Sequence, residues 1–329
     1  MNRTNMDPFQ PMTNTRNPRY NLPLLLVNYL FLFIGSLYSS LLSKYYFIHK
    51  GSSFPLLFLS IFLPYFLKCT TRKPFSHFTP KIYTLSILIG FLLGVNNFFF
   101  SLGNYYLPVS TSSLILSSQL AFNLILSLLL VKQKITFSNL NCVMLIVLSS
   151  VLLALESRHD KPEGLTKAKY FVGFFSTISG GLLFALYLPL MEMIFKKVYC
   201  YAMVMEMQMV VEFSATLLAT IGMVESHVFD KGLVVYYITV FFNVVTWQLC
   251  FMGTAGMVFL MSSLTGGICM TALMGINVVG GVLVYGDDFG GVKIVSTLLS
   301  SWGFASYVFG FYIKMKLERE EEDKQNIPI

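Results

Sequence analysis

Charge is what this 329-residue chain has least of: Asp, Glu, Lys and Arg make up 12% of it, against about 25% in a soluble domain. With 55% hydrophobic residues beside that shortage, a water-soluble globule is excluded and a polytopic membrane protein is what remains. The five cysteines, Cys69, Cys142, Cys200, Cys250 and Cys269, show no C-x-x-C spacing, and the four histidines, His49, His77, His159 and His227, all fall between the apolar runs. No metal site, disulfide framework or cofactor is therefore expected. No Ser-His-Asp arrangement is present, and the GGVK stretch at 290–293 lacks the spacing of a phosphate-binding loop, so an enzyme is not expected either. The net charge of +7 comes from basic residues in short loops that form no stripe, which argues against nucleic acid as a partner.

What is there is a series of apolar runs. Ten can be counted: 22–43, 54–67, 82–102, 109–131, 141–155, 170–195, 203–223, 233–251, 257–285 and 294–313. Most approach the roughly 20 residues that a helix needs to cross hydrocarbon. A polar tail precedes the first run and KMKLEREEEDKQNIPI (314–329) follows the last; both tails read as disordered. The first run exceeds a signal-peptide core and no A-x-A-like site follows it, so it is expected to stay as a span. With both termini in the cytoplasm, about 15 lysines and arginines fall inside and about 8 outside, the asymmetry that the positive-inside rule requires.

The chain also repeats itself. Gly103-x8-Ser112-Ser113-Leu114 recurs as Gly253-x8-Ser262-Ser263-Leu264 at an offset of 150 residues, each copy joining the end of one run to the start of the next. These joints lie between runs three and four and between runs eight and nine, as duplication of a five-helix unit demands. Five is odd, so the second unit enters the membrane upside down. The expected fold is thus an all-α integral membrane protein of about ten transmembrane helices in two inverted five-helix repeats, 22–155 and 170–313, joined by a 156–169 linker, with a binding site near the midplane.

Amides inside such spans call for an explanation, because an unpaired amide in hydrocarbon costs several kcal/mol, as a rough figure. Asn96 and Asn97 stand in run three; Gln119 and Asn123 lie one turn apart in run four; Trp247 and Gln248 are the counterparts of Asn97 and Phe98 in run eight. Amides offer donor and acceptor together and an aromatic face stacks on a flat ring, so this set suits a heteroaromatic base as substrate. The same amides equally suit interhelical glue, worth about 0.6 kcal/mol apiece. No Lys or Arg lies inside a run, which argues against phosphorylated or carboxylated substrates. Carboxylates are costlier still: Glu192 has Lys196 one turn on as an ion-pair partner, while Glu206 and Glu212 are candidates for carrying a coupled proton.

LPVSTSSLILSSQLAFN (107–123), LLLVKQKIT (128–136), MEMQMVVE (205–212), TWQL (246–249) and VKIVSTLLSSWGFASYVFGFY (292–312) resemble the plant purine permeases of the drug/metabolite transporter superfamily, over nearly the whole chain. The resemblance implies a ten-helix carrier that takes up adenine, cytokinins and related bases with protons, usually at the plasma membrane; relatives that carry alkaloids or pyridoxine-like heterocycles leave those as alternative substrates. Three departures stand out. The run 54–67 is short, as if about a dozen residues before it were missing; Asn96-Asn97 stands where the family often has Asp-Asn; and Gly275 stands where it often has a proline break. The short run keeps open a second reading, a variant that does not transport.

Overall fold

The computed structural model describes residues 22–49, 78–107, 118–133, 136–156, 166–198, 200–221, 232–286 and 290–325, together with 75, 112, 115 and 116. The short run at 54–67, the start of run four and the 157–165 part of the linker lie outside them. The described elements are helices: α1 (Leu22–Ile48), α2 (Pro80–Tyr106), α3 (Gln119–Leu126), α4 (Phe137–Glu156), α5 (Lys167–Phe195), α6 (Tyr201–Ile221), α7 (Leu233–Leu260), α8 (Ser263–Tyr285) and α9 (Gly291–Gln325). Among the described residues, six helices are long and apolar enough to cross a membrane, in α1, α2, α5, α7, α8 and α9; two shorter apolar stretches are Gln119–Val131 and Phe137–Ser149.

Local chemistry sets the ends. Thr79 caps α2 by accepting from the Ile82 amide, with Pro80 in the first turn where its missing N–H costs nothing. Ser262 caps α8 by accepting from the Thr265 amide at 3.2 Å, and Gly286 closes it in the left-handed conformation (φ 66°) that glycine adopts without strain. A π turn over Ser127–Val131 prolongs α3.

Two helix ends differ from the sequence reading. The connection after run eight, expected at about 252–256, is helical, and α7 runs unbroken to Leu260. Gly253 and Gly256 do not turn the chain there; they lie against Leu32 and Asn28, so their small size serves close helix contact. The charged tail expected to be disordered is helical as far as Gln325. Its Glu, Lys and Arg residues are good helix formers and continue a helix already nucleated in α9.

The helices interlock across the two halves. α1 packs along α7, and α2 packs along α5; α3 lies on α5, and α8 on α1. At the first crossing Gly35 sits over the amide nitrogen of Cys250 and the carbonyl of Thr246; at the second, Gly180 sits over the amide nitrogen of Phe100 and the carbonyl of Asn96. These backbone atoms are 150 residues apart in the chain, the offset of the sequence repeat. The main apolar core is built from α1, α2, α5, α7 and α8 together with α6, and includes Leu93, Leu188, Met191, Met207 and Phe251.

A polar cavity between the crossed helix pairs

Where the two crossings meet, they leave a cavity. α2 turns Asn96, Asn97 and Phe100 into it, α7 supplies Trp247, Cys250 and Phe251, and α1 supplies Ser36, Ser39 and Ser40. Leu116 enters from just before α3 and Gln119 from its first position, Gly180 and Phe184 from α5, and Met270 and Met274 from α8. Its water-accessible volume is about 30 Å³, room for roughly two waters. A flat heterocycle needs more, so binding one requires the walls to part, and Met270 and Met274 are flexible enough to give way.

The two asparagines of run three face this space side by side: Asn96, almost wholly buried, donates to Asn97 Oδ1 at 3.4 Å. Gln119 is 3% exposed and its Nε2 has no partner, a donor that costs about 1–3 kcal/mol while unsatisfied. Trp247 supplies the lining with its largest aromatic ring. Its ring stacks on Phe251 at 5.5 Å and 25° and meets the edge of Phe100 at 5.3 Å and 89°. Its indole N–H donates to Ser43 Oγ at 3.1 Å, and Ser43 in turn donates to Asn243 Oδ1 at 3.2 Å. The stack fixes the ring's face and the hydrogen bonds fix its edge, so the wall is set before any ligand arrives.

Of the six residues expected to line a binding site, the structure brings Asn96, Asn97, Gln119 and Trp247 together. Asn123 is elsewhere: it donates to the Ser263 carbonyl at 3.1 Å, accepts from Ser127 Oγ at 3.2 Å and lies against Gly267, tying α3 to α8. Gln248 also stands apart from the cavity lining, at 1% exposure and with both amide atoms unpartnered. It follows Trp247 directly, and successive helical residues point about 100° apart.

The two glutamates also differ. Glu206 is half-buried in the second turn of α6. Glu212 is 2% exposed; Gln208 Nε2 donates to its Oε1 at 2.7 Å, and the Tyr187 hydroxyl donates to Gln208 Oε1 at 3.4 Å. Glu192 pairs with Lys196 at 3.6 Å as the spacing predicts, and its other oxygen accepts from the Ser263 amide at 2.7 Å, capping α8.

Sequence reasoning missed the serine wall. Ser36, Ser39, Ser40 and Ser43 lie at helical spacing along α1. That signal was available, but serines are common in membrane helices. Asn277 of α8 holds two of them, donating to Ser40 Oγ at 3.0 Å and Ser36 Oγ at 3.4 Å.

Long apolar helices around a polar, aromatic-walled interior define an all-helical, multi-pass membrane protein. A family model described as purine nucleobase transmembrane transport matches residues 23–317. The chain belongs to that family, the purine permeases, which are transporters and not enzymes. It is 60% identical to probable purine permease 4 of Arabidopsis thaliana over 286 residues, covering 83% of this chain and 75% of the relative. It is 32% identical to purine permease 2 of the same plant, covering 92% and 95%. A solved crystal structure of 13% sequence identity superposes with a TM-score of 0.57 over 87% of this chain and 98% of the other, a likeness of fold alone.

Proposed function

We propose that this chain is a proton-coupled carrier of purine bases, adenine and cytokinins among them, and that the cavity between the crossed helix pairs is where the base sits. The observation that carries this reading is the wall chemistry: an unpartnered buried amide donor on Gln119, the Asn96–Asn97 pair beside it, and a pre-set Trp247 stacking face. A purine offers ring nitrogens to the amides and a flat face to the indole. Among the described residues, the lining carries no Lys or Arg to attract phosphate or carboxylate. Asn123 and Gln248, also candidates from sequence, fall outside this arrangement, and we leave them out of the binding role.

The reading includes an architecture of ten helices in two inverted repeats, 22–155 and 170–313, supported by the reciprocal pairing of α1 with α7 and α2 with α5. Equivalent positions 150 residues apart line one cavity, Asn97 with Trp247 and Phe100 with Cys250. Rocking one crossed pair against the other then exposes the cavity to each side in turn. The lysine and arginine asymmetry supports cytoplasmic termini, and the family resemblance supports the plasma membrane.

For the proton, Glu212 is the stronger of the two candidates. It is buried, and among the described residues no cation pairs with it. A carboxylate so placed costs several kcal/mol, as an order of magnitude, whereas its neutral acid does not. Glu206, half-buried, is the second candidate.

The test is uptake of labelled adenine by yeast that lacks its own purine carriers, at acidic and neutral pH, with surface expression verified. Saturable uptake, stronger at acidic pH, is the expected result. Absence of uptake from a surface-expressed protein removes adenine as the substrate, and uptake indifferent to pH removes the proton.

A further inference from the structure

We propose that Tyr187 and Gln208 are positioning residues that couple the proton on Glu212 to occupancy of the cavity. This rests on the carrier reading above and adds the physical link between its two sites. Phe184 lines the cavity, and its ring stacks on Tyr187 at 5.6 Å and 29°. From Tyr187 a hydrogen-bonded line runs through Gln208 to Glu212, and all three side chains are at most 2% exposed. A base that parts the cavity walls therefore presses on a ring whose neighbour holds the other end of that line.

The centre of the line is an amide, which makes it a two-state element. With Glu212 ionised, the Tyr187 hydroxyl donates to the Gln208 carbonyl oxygen and the Gln208 NH₂ donates to the carboxylate, the arrangement present here. When Glu212 takes a proton from water on Oε1, the oxygen that Gln208 holds, the acid O–H becomes a donor and meets a donor. Turning the Gln208 amide over restores both bonds with reversed polarity: the acid donates to Gln208 Oε1, and the Gln208 NH₂ donates to the Tyr187 oxygen. The Tyr187 O–H must then point elsewhere, so protonation of Glu212 changes what the ring behind Phe184 can do. The titratable groups that face Glu212 are Tyr187 from α5 and Cys250 from α7; among the described residues α2, which also packs on α6, presents none there.

The experiment uses the full-length protein in detergent with Trp302→Phe as background. The chain has two tryptophans, and Trp302 is 70% exposed on α9, so Trp247 becomes the reporter. Adenine titrations at acidic and neutral pH give the ratio of the two dissociation constants. In the parent, adenine binds about fivefold or more tightly at acidic pH. Glu212→Gln brings the ratio to one. Tyr187→Phe, which keeps the ring stack and removes only the hydroxyl, brings it most of the way to one while binding at acidic pH persists. A parent-like ratio in Tyr187→Phe beside a flat Glu212→Gln overturns the coupling line and leaves Glu212 as the proton site. A parent-like ratio in Glu212→Gln overturns Glu212 itself, and with it the line; an absence of adenine quenching in the parent overturns the purine site. Should Tyr187→Phe not fold, infrared difference spectra of the parent decide: adenine must shift the carboxylic-acid band that Glu212→Gln deletes, and an unmoved band refutes the proposal.

Discussion

The α1–α7 and α2–α5 crossings present equivalent backbone atoms to Gly35 and to Gly180, yet these two glycines are packed to different tightness. At α1–α7 a Cβ added to Gly35 would stand 2.6 Å from Cys250 Cα and 2.8 Å from the Thr246 carbonyl oxygen, while one on Gly253 would stand 2.5 Å from the Leu32 amide nitrogen. At α2–α5 a Cβ on Gly180 would meet the Phe100 amide nitrogen at 3.5 Å, Phe99 Cβ at 3.7 Å and the Asn96 carbonyl oxygen at 3.8 Å, ordinary contact distances. The α1–α7 crossing is thus locked backbone to backbone at Gly35 and Gly253, whereas α2–α5 has space for a methyl group at Gly180 and is tight through side chains, with Gly103 against Thr177 Oγ1 and Gly173 against Tyr106 Cβ. Gly180, where that space lies, lines the cavity beside Asn96, Asn97 and Phe184 of the same helix pair. If one wall yields to admit a base, this is the wall with slack.

The largest effect should come from breaking the tight crossing. Gly35→Ala or Gly253→Ala puts a methyl group into backbone that cannot rotate away. Overpacking costs about 1–3 kcal/mol or more, so melting in detergent should drop by many degrees and little protein should reach the cell surface. Next in size is the aromatic wall. Trp247→Ala removes a stacking face worth about 1–3 kcal/mol, so adenine affinity should fall by roughly tenfold to a hundredfold. At the position 150 residues earlier, Asn97→Ala should cost less, because that side chain contributes an amide and no ring. Gln119→Ala removes a donor at about 1 kcal/mol net; competition binding should register a loss of roughly five- to tenfold in affinity with melting unchanged. Asn123→Ala should do the reverse, lowering the melting temperature by a few degrees, about what 1 kcal/mol yields, while affinity holds. Smallest of all, Gly180→Ala should leave both within error. A Gly180→Ala as damaging as Gly35→Ala would erase the asymmetry between the crossings.

Much of this was legible in the sequence because the membrane imposes simple rules. Apolar run length marked helices, and the Gly103/Gly253 repeat, read as joints between runs, picked out two positions where helices lie close. Less legible was anything that depends on azimuth. Asn97 and Trp247 fall on the cavity, but Gln248, next in the chain, is rotated away, and Asn123 shares a helical face with Gln119 yet is already tied to Ser263. A four-residue spacing gives the face and not what the far end of that face meets. Tyr187 and Phe184 carried no sequence signal at all, being two aromatics in a chain with 31 Phe and 18 Tyr. Gly253 was read as a helix end, whereas it lies inside α7 against Leu32, because a residue that loosens a lone helix can equally seat two helices together.

The central claim is that a purine base sits between the crossed pairs against Gln119 and Trp247. It is tested most directly by side-by-side adenine binding to purified parent, Gln119→Ala and Asn123→Ala proteins, with melting curves of the same samples. The account predicts weakened binding with unchanged melting for Gln119→Ala, and parent-like binding with lowered melting for Asn123→Ala. Parent-like adenine binding by a correctly folded Gln119→Ala protein would contradict it.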